Sequence, residues 1–463
     1  MKQITGKKST ARVVNMTEGN PMRIILMFAV PLFIGNIFQQ VYSMIDTMIA
    51  GYSLGDGAIA AIGATSSLYS LLINIASGLN SGYAIVVTQY FGSGNEKKLK
   101  EAVAGMIQLN IVVTAVLTVV SVVFLRPLMR FMNTPEAIFS EAYRYIVVIC
   151  MGMLATICYN MFSGILRAVG NSRTSIYFLI LASLLNIGLD LLFVVGLKMG
   201  VAGAALATVI AQGTAAAFCG WYIVKNYRFL LPSRKDLRVS KKLLGELVSQ
   251  GVAMGLMLCV VDLGSILFQR ATNGLGASII SAQTASRRII GITMQPLATI
   301  ATASSTFVGQ NWGAGKTDRI RSGLKQVLKM EMVWSGIACI IAAFFGDILI
   351  RITTGTEDLM IIQNAVMNLR WHLFFFPVLG ALLVLRTAMQ AMGKKIAPII
   401  SSCLELGMKG VSAAFLIPQL GFFGSSITEP LTWVIMLVFL VGAFCIQKRA
   451  LFGESRWKEN LEI

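Results

Sequence analysis

Acidic residues inside strongly apolar segments are the positions in this sequence that could do chemistry. Gln39, Tyr42 and Asp46 follow one another at spacings of three and four residues, so they share one face of a helix. A second pair, Asn186 and Asp190, is spaced by one helical turn. Placing an ionised side chain in hydrocarbon costs about 2.5–3.5 kcal/mol even on lenient scales, so such residues indicate a functional site.

Two kinds of chemistry suit these side chains. Carboxylate, amide and hydroxyl oxygens are hard ligands of the kind that bind Na⁺. Alternatively, two carboxyl groups that share a low-dielectric site can hold one proton and release it. A third interpretation gives Asp46 and Asp190 only a structural role, in capping or pairing near helix ends. The sequence leaves these alternatives open.

Several other ionisable residues lie within or near apolar segments. Glu405 and Lys409 are four residues apart, which predicts a pair within one helix. Arg287 and Arg288 either extend outward to water or pair with a buried acid. His372 is the single histidine, and we interpret it as a packed residue and not as a proton relay. The remaining candidates are Asp262, Arg386 and Glu429.

Composition places these residues in a membrane protein. The chain is 56% hydrophobic and only 13% charged, with a mean hydropathy of +0.73, whereas soluble domains carry about 25% charged residues. Runs long enough to cross about 30 Å of hydrocarbon predict twelve transmembrane helices. They lie at 22–50, 58–90, 102–125, 138–166, 174–196, 200–224, 243–271, 279–311, 326–350, 361–392, 396–418 and 423–447.

One fixed offset relates the two halves of the chain. The segment that begins Gln89-Tyr90-Phe91-Gly92 reappears as Gln310-Asn311-Trp312-Gly313, 221 positions later. The same offset carries Gly55 onto Gly276 and Gly200 onto Gly421. We therefore expect two homologous bundles of six helices each, which is a common plan of secondary transporters.

Basic residues are concentrated in the tails and in alternate loops, which hold 27 of the 39 Lys and Arg when Arg23, at the start of the first span, is counted with the N-terminal tail. The positive-inside rule then places both termini and the central connection in the cytoplasm. The expected organisation is a cytoplasmic tail, an N-lobe, a cytoplasmic linker, a C-lobe and a second cytoplasmic tail. Their boundaries are 1–21, 22–224, 225–242, 243–447 and 448–463.

Other functional classes find little support in the sequence. The net charge of +18 follows the loop pattern, so we expect no nucleic-acid partner. Residues 309–317 resemble a phosphate-binding loop but carry Gln310 where that motif needs glycine, so we expect no nucleotide. The seven cysteines form no CxxC pair, which favours free thiols over a structural metal site. We also expect no catalytic triad, no enzymatic activity and no cofactor beyond the coupling ion.

The motifs together resemble the multidrug and toxic compound extrusion (MATE) family. They are Pro31, the run from Asp46 to Gly51, Gln89 with its glycine turn, Arg167-Ala168-Val169-Gly170-Asn171, Asn186 to Asp190, and Gly203 to Thr208. They cover the N-terminal half, and their repeat partners extend through the second half. The resemblance implies two six-helix lobes in a V-shaped arrangement and cation-coupled export of organic compounds.

The resemblance also implies a set of site residues. The family's N-lobe cation site carries over to Asp46, Asn186, Asp190 and Thr208. The substrate cavity would include Gln39, Tyr42 and Asn160. In the C-lobe, Asp262 and Glu405 are weaker candidates, because the tenth span lacks a second carboxylate. Repeat symmetry also argues against a complete cation site in the C-lobe, since Asp46 corresponds to Leu267 and Asp190 to Val411.

The sequence thus predicts a monomeric multi-pass antiporter of the cytoplasmic membrane, surrounded by membrane lipids. H⁺ or Na⁺ would enter while an amphipathic, mostly cationic organic compound leaves. The alternative is a flippase for a lipid-linked precursor, from the related two-lobe superfamily. That function calls for a cationic cavity to hold phosphate, whereas we expect the N-lobe cavity to be lined by carboxylates.

Overall fold

The computed structural model describes residues 14–132 and 134–452. The expected tails therefore lie largely outside the described residues, including 1–13 and 453–463. Within the described part the chain is helical and no strand occurs. The α-helices are α1 Pro21–Leu54, α2 Asp56–Ser93, α3 Glu96–Phe131, α4 Glu136–Met151, α5 Met153–Ala168, α6 Ser172–Asp190, α7 Val201–Asn226, α8 Lys241–Asn273, α9 Ala277–Gly313, α10 Thr317–Thr354, α11 Leu359–Phe374, α12 Phe376–Ala391, α13 Ile396–Val411 and α14 Ile417–Phe452.

These helices confirm the all-α fold with twelve spans. Eight helical stretches are long and apolar enough to cross a membrane, and two bent pairs, α4–α5 and α11–α12, raise the number to ten. The last stretch, Ile396–Gln447, has 52 residues and breaks at Gly421, so it supplies two spans. Helix α9, with 37 residues, is the twelfth.

The internal repeat recurs in the backbone. Gly55, Gly94 and Gly200 have left-handed φ angles of 79°, 73° and 66°, and their counterparts 221 residues later have φ angles of 102°, 70° and 57°. A single π-helical turn follows α6 at Leu191–Gly196, and another follows α13 at Ser412–Leu416. Each bent pair is likewise the fourth span of its half, with bends of 46° and 48°.

The described chain forms two compact units. Of the described residues, the first comprises Val14–Asn15 and Val30–Gly255, and the second comprises Met16–Ala29 and Leu256–Phe452. By contacts, the division falls within α1, between Ala29 and Val30, and within α8, between Gly255 and Leu256. In the 225–242 connection, which lies outside the spans, two hydrogen bonds from Ser233 hold the pKa of Asp236 below its usual range.

Small residues allow close helix packing in the first unit. Gly78 and Gly82 lie one turn apart on α2 and face Gly251 and Gly255 of α8. A Cβ atom on Gly78 would come within 2.6 Å of the Gly255 Cα, so the two backbones meet without intervening side chains. Interfaces of this kind are typical of membrane helices, where dispersion contact replaces the hydrophobic effect.

In the second unit, the end of α9 and the start of α10 hold residues Met16–Gly19. Asn311 Nδ2 donates to the Met16 carbonyl over 3.0 Å, and Gln310 Oε1 accepts from the Met16 N–H at 3.1 Å. Arg319 donates to three carbonyl oxygens of the same segment, those of Met16, Glu18 and Gly19. The Gly313–Gly315 turn is thus a helix end, and side chains on both sides of it anchor this backbone segment.

Candidate functional site

The two carboxylates predicted in the N-terminal half meet in the structure. Asp46 lies near the end of α1, Asp190 is the last residue of α6, and their side chains are within hydrogen-bond contact. Asp190 is 1% exposed and Asp46 is partly buried. Two bare negative charges at this separation would repel each other strongly, so the pair needs a shared proton or a bound cation.

Asn186 connects the two helices of this acid pair to a third helix, α7. In the orientation that satisfies both ends of its amide, its nitrogen donates to Asp190 Oδ2 over 3.2 Å and to the Tyr42 hydroxyl over 3.0 Å. Its oxygen accepts from the backbone N–H of Thr208 at 3.1 Å. Asn186 is fully buried. One amide therefore fixes α1, α6 and α7 around the carboxylates.

Thr208 takes part through its backbone. Its hydroxyl donates to the Ala204 carbonyl of its own helix over 3.1 Å. Asp190 Oδ1, in contrast, is buried and receives no hydrogen bond in the described part of the chain. A buried acceptor without a donor is available to a proton or a metal cation. The π-helical turn begins directly after Asp190, and such turns occur frequently at functional sites.

Two tyrosines that sequence reasoning missed surround the acid pair. Tyr69 of α2 and Tyr145 of α4 lie close enough to interact electrostatically with Asp46. Tyr42 interacts with both carboxylates. Nothing in the spacing of Tyr69 or Tyr145 indicated this placement, because helix packing brings them together. With Asn186, the tyrosines give the carboxylates a polar surround within an apolar bundle.

A polar cavity of about 270 Å³ lies in the same unit. Gln39 and Asn160, both predicted to face substrate, line it, and Asn160 donates to Ser77 Oγ over 3.3 Å. The expectation of a carboxylate-lined cavity is wrong, since no acid lines it within the described residues and Arg167 does. The acid pair lies beyond the cavity wall because Asp46 is two helical turns further along α1 than Gln39.

The candidate residues of the second half form different pairs. Lys409 Nζ lies 2.9 Å from Glu405 Oε1, as their spacing predicted, and donates to Ser265 Oγ over 3.1 Å. Asp262 lies partly buried in α8, one turn before Ser265. Leu267 and Val411, the repeat counterparts of Asp46 and Asp190, are 46% and 49% exposed. The second unit therefore has no copy of the acid pair at these positions.

His372 and Arg287 share one carboxylate in the second unit. His372 Nε2 lies 3.0 Å from Glu429 Oε2, and Arg287 Nη2 lies 3.7 Å from Glu429 Oε1. Arg287 thus pairs with an acid, whereas Arg288 is exposed. Arg386 donates to Ser402 Oγ.

Glu331 is a further acid that sequence reasoning missed. It is fully buried in α10, and neither carboxylate oxygen has a hydrogen-bond partner in the described part of the chain. Its position in the ninth apolar run was the signal that could have found it, by the same rule that found Asp46 and Asp190. An unpartnered carboxyl group in such a place is accommodated most easily in its neutral form.

A metal centre built only from the usual charged ligands is not found in the described residues, where no three His, Cys, Asp or Glu side chains cluster. A cation at the acid pair would have two carboxylates and would need neutral oxygens as further ligands. The Tyr42 hydroxyl and water are of that chemical type. The donor set fits Na⁺ or H⁺ better than a transition metal.

Relatives resemble the chain along nearly its whole length. The probable multidrug resistance protein YoeA of Bacillus subtilis is 27% identical over 452 residues, which cover 95% of each chain. The FAD transporter of Shewanella oneidensis is 22% identical and covers 89% of this chain and 92% of its own.

Solved structures share the fold. A multidrug resistance MATE family transporter of the MOP superfamily, in an outward-facing conformation, matches with a TM-score of 0.85 at 21% identity, covering 96% of this chain and 99% of its own. A MOP superfamily transporter from Pyrococcus furiosus, whose binding pocket is described as having reverse polarity, matches with a TM-score of 0.84 at 20% identity. It covers 95% of this chain and all of its own.

The MatE family model matches residues 31–192 and 253–415, once in each half of the repeat. These two matches account for most of the chain, and they include Asp46, Asn186 and Asp190. The family-model matches, the twelve-span fold and the internal repeat all agree. The chain therefore belongs to the MatE family of multidrug and toxic compound extrusion transporters.

Proposed function

We propose that this protein exports amphipathic organic compounds, mostly cationic, in exchange for H⁺ or Na⁺ bound at Asp46 and Asp190. The observation that supports this most directly is the contact between the two carboxylates, with Asp190 Oδ1 left without a donor. Such a pair is stable only when a cation neutralises it, so it binds and releases one during a cycle.

Relatedness supports the substrate class. YoeA is named a probable multidrug resistance protein, and a multidrug export protein of Staphylococcus aureus, MepA, is 20% identical over 416 residues. The basic residues of the tails and alternate loops support a position in the cytoplasmic membrane with both termini inside. We take the single chain as the functional unit, because each half supplies one bundle.

Helix α1 provides the connection between ion and substrate. Gln39 lines the cavity, and Tyr42 and Asp46 follow on the same helical face and reach the acid pair. Seven residues of helix separate Gln39 from Asp46, which is about 10 Å. A cation that draws Asp46 toward Asp190 therefore acts on the helix that forms one cavity wall. Transport follows if the cation has different affinities for the two states of the protein.

The cavity argues against the lipid-linked precursor flippase. The phosphates of a lipid-linked sugar precursor need several cations. Arg167 is the one cation of this cavity among the described residues, which suits a single anionic group on the ligand.

Purified protein reconstituted in liposomes tests this proposal. We expect ethidium efflux from the proteoliposome when an inward H⁺ or Na⁺ gradient is imposed, and no efflux without a gradient. Asp190→Asn removes the charge at nearly constant volume and should abolish driven efflux, with normal amounts of folded protein. Glu405→Gln, in the second unit, is the matched control and should retain most of it. If Glu405→Gln is inactive and Asp190→Asn transports normally, the coupling site lies elsewhere.

A further inference from the structure

Arg167 is the one charged side chain on the cavity wall in the described part of the chain. Its guanidinium donates no hydrogen bond to, and forms no ion pair with, any described residue. Tyr159, also on the wall, is close enough to interact with it electrostatically. Charged groups in low-polarity surroundings are normally paired. A guanidinium without a counter-ion, at the edge of a polar cavity, can therefore still bind an anion.

Helix α5 carries this cation at the end of a polar stripe. Thr156, Asn160, Ser163 and Arg167 are spaced by three or four residues, and all four line the cavity. The rest of the wall adds further polar groups, among them Gln212 of α7, whose buried Oε1 has no hydrogen-bond partner in the described residues. The cavity thus offers both an unused cation and an unused acceptor.

The two charges of the unit lie toward opposite ends of the cavity. Gly35 of α1 contacts Ile176, near the start of α6, and Asp46 of α1 contacts Asp190, at the end of α6. Arg167 precedes α6 by only five residues, so it belongs to the Gly35 end. From Gly35 to Asp46 the helix rises about 16 Å. A ligand bound in this cavity would contact the Arg167 guanidinium at one end, and the acid pair would lie beyond its other end.

We propose that the cavity binds the carboxylate of a zwitterionic amphipathic compound, with Arg167 as the residue that recognises this anion. The planar fork of a guanidinium matches a carboxylate with two parallel hydrogen bonds. The cationic part of the same compound would lie toward the acid pair. This inference rests on the proposed export function and refines its substrate class from cations to zwitterions.

A purely structural role for Arg167 accounts for its position in the helix but not for its unpaired guanidinium. Arg167 lies in the last turn of α5, where the helix dipole favours a cation. That effect is weak and leaves the N–H groups of the guanidinium without acceptors. Arg167 is partly buried and faces a polar cavity, so the acceptors for these N–H groups are water or a bound anion. Arg173, in the first turn of α6, is exposed and gives a control that lacks the cavity.

Equilibrium binding of two matched dyes tests the inference. Rhodamine B carries a free carboxylate beside its cationic ring system, and its methyl ester lacks only the negative charge. Fluorescence anisotropy with purified protein in detergent gives a Kd for each dye. We expect Arg167→Gln to weaken binding of the acid about tenfold or more, as loss of a charged hydrogen bond does. Binding of the ester should change less than about twofold.

Two further variants complete the design. Arg167→Lys keeps the charge and should retain part of the affinity for the acid, and Arg173→Gln should change neither Kd. Equal loss of both dyes in Arg167→Gln, or no loss of either, would overturn the inference. Efflux of the ester from liposomes under an ion gradient is measured in parallel. If the ester is exported while Arg167→Gln leaves the Kd of the acid unchanged, the proposed function stands and this inference fails.

Discussion

His372 Nε2 and Glu429 Oε2 lie 3.0 Å apart, and this contact ties α11 to α14. Glu429 also pairs with Arg287 of α9, so one carboxylate serves three helices of the second unit. His372 Nδ1 lies 2.8 Å from the Asn368 carbonyl, which fixes the ring. The side chain of His372 is 5% exposed. The geometry therefore assigns the single histidine to packing of the second unit.

Glu429→Gln should destabilise the protein because it leaves Arg287 without a counter-ion and weakens the contact with His372. Hydrogen bonds to charged groups contribute about 1.5–3 kcal/mol, so we expect a clearly lower unfolding temperature in detergent. Asp347→Asn breaks the exposed Asp347–Arg351 pair and is the control, with an expected cost of about 0–1 kcal/mol. Equal effects of the two variants would contradict the assignment.

Gly82→Ala should disrupt the close approach of α2 to α8. A Cβ at Gly82 would overlap the Gln250 carbonyl and the Gly251 Cα, both backbone atoms that cannot rotate away. Gly63 lies on the same helix, and a Cβ added there would meet nothing within 4 Å. Gly63→Ala should therefore be neutral or stabilising by up to about 1 kcal/mol, because alanine favours helix. Unfolding temperatures of the two variants in detergent give the comparison, and similar values would exclude a tight crossing.

Thiol labelling in intact cells tests the topology. In a background without the native cysteines, Lys235→Cys lies in the central connection and Ser53→Cys near the end of α1; both native residues are exposed. With the connection in the cytoplasm, a membrane-impermeant maleimide added outside should label Ser53→Cys only. Both should react after the membrane is permeabilised. The opposite pattern would reverse the orientation and the inferred direction of transport.

Much of the fold could be predicted because it depends on periodic features. The offset that relates Gly55 to Gly276 predicted a duplicated chain, and the left-handed φ at both positions gives the physical reason, since glycine adopts it without strain. The breaks at Gly152 and Phe375 were not predicted. Each interrupts an apolar run without changing its hydropathy, so the signals were local ones: Gly152 itself, and Pro377 at the start of α12.

The site was predictable where residues share one helix and unpredictable where packing joins helices. The spacing of Tyr42 and Asp46 placed both on one face of α1, and the family resemblance added Asn186 and Asp190. No spacing indicated Tyr69 or Tyr145, or that Arg167 would enter a cavity free of carboxylates. Those placements depend on which faces of different helices meet, which a local sequence pattern does not encode.

Asp46→Asn gives the sharpest test of coupling. As a coupling residue, Asp46 must alternate between a neutralised and an available carboxylate, and asparagine has nearly the same shape but stays neutral. We expect normal expression and retained binding of a fluorescent cation, with efflux lost under both a pH step and a Na⁺ step. Loss under only one gradient would identify the coupling ion. Asn186→Ala is a useful companion, because it removes the contacts that orient Asp190 and leaves both charges. It should reduce the efflux rate without abolishing it. A poorly folded Asp46→Asn protein would support a structural role for Asp46, and unchanged efflux under both gradients would remove Asp46 from the mechanism.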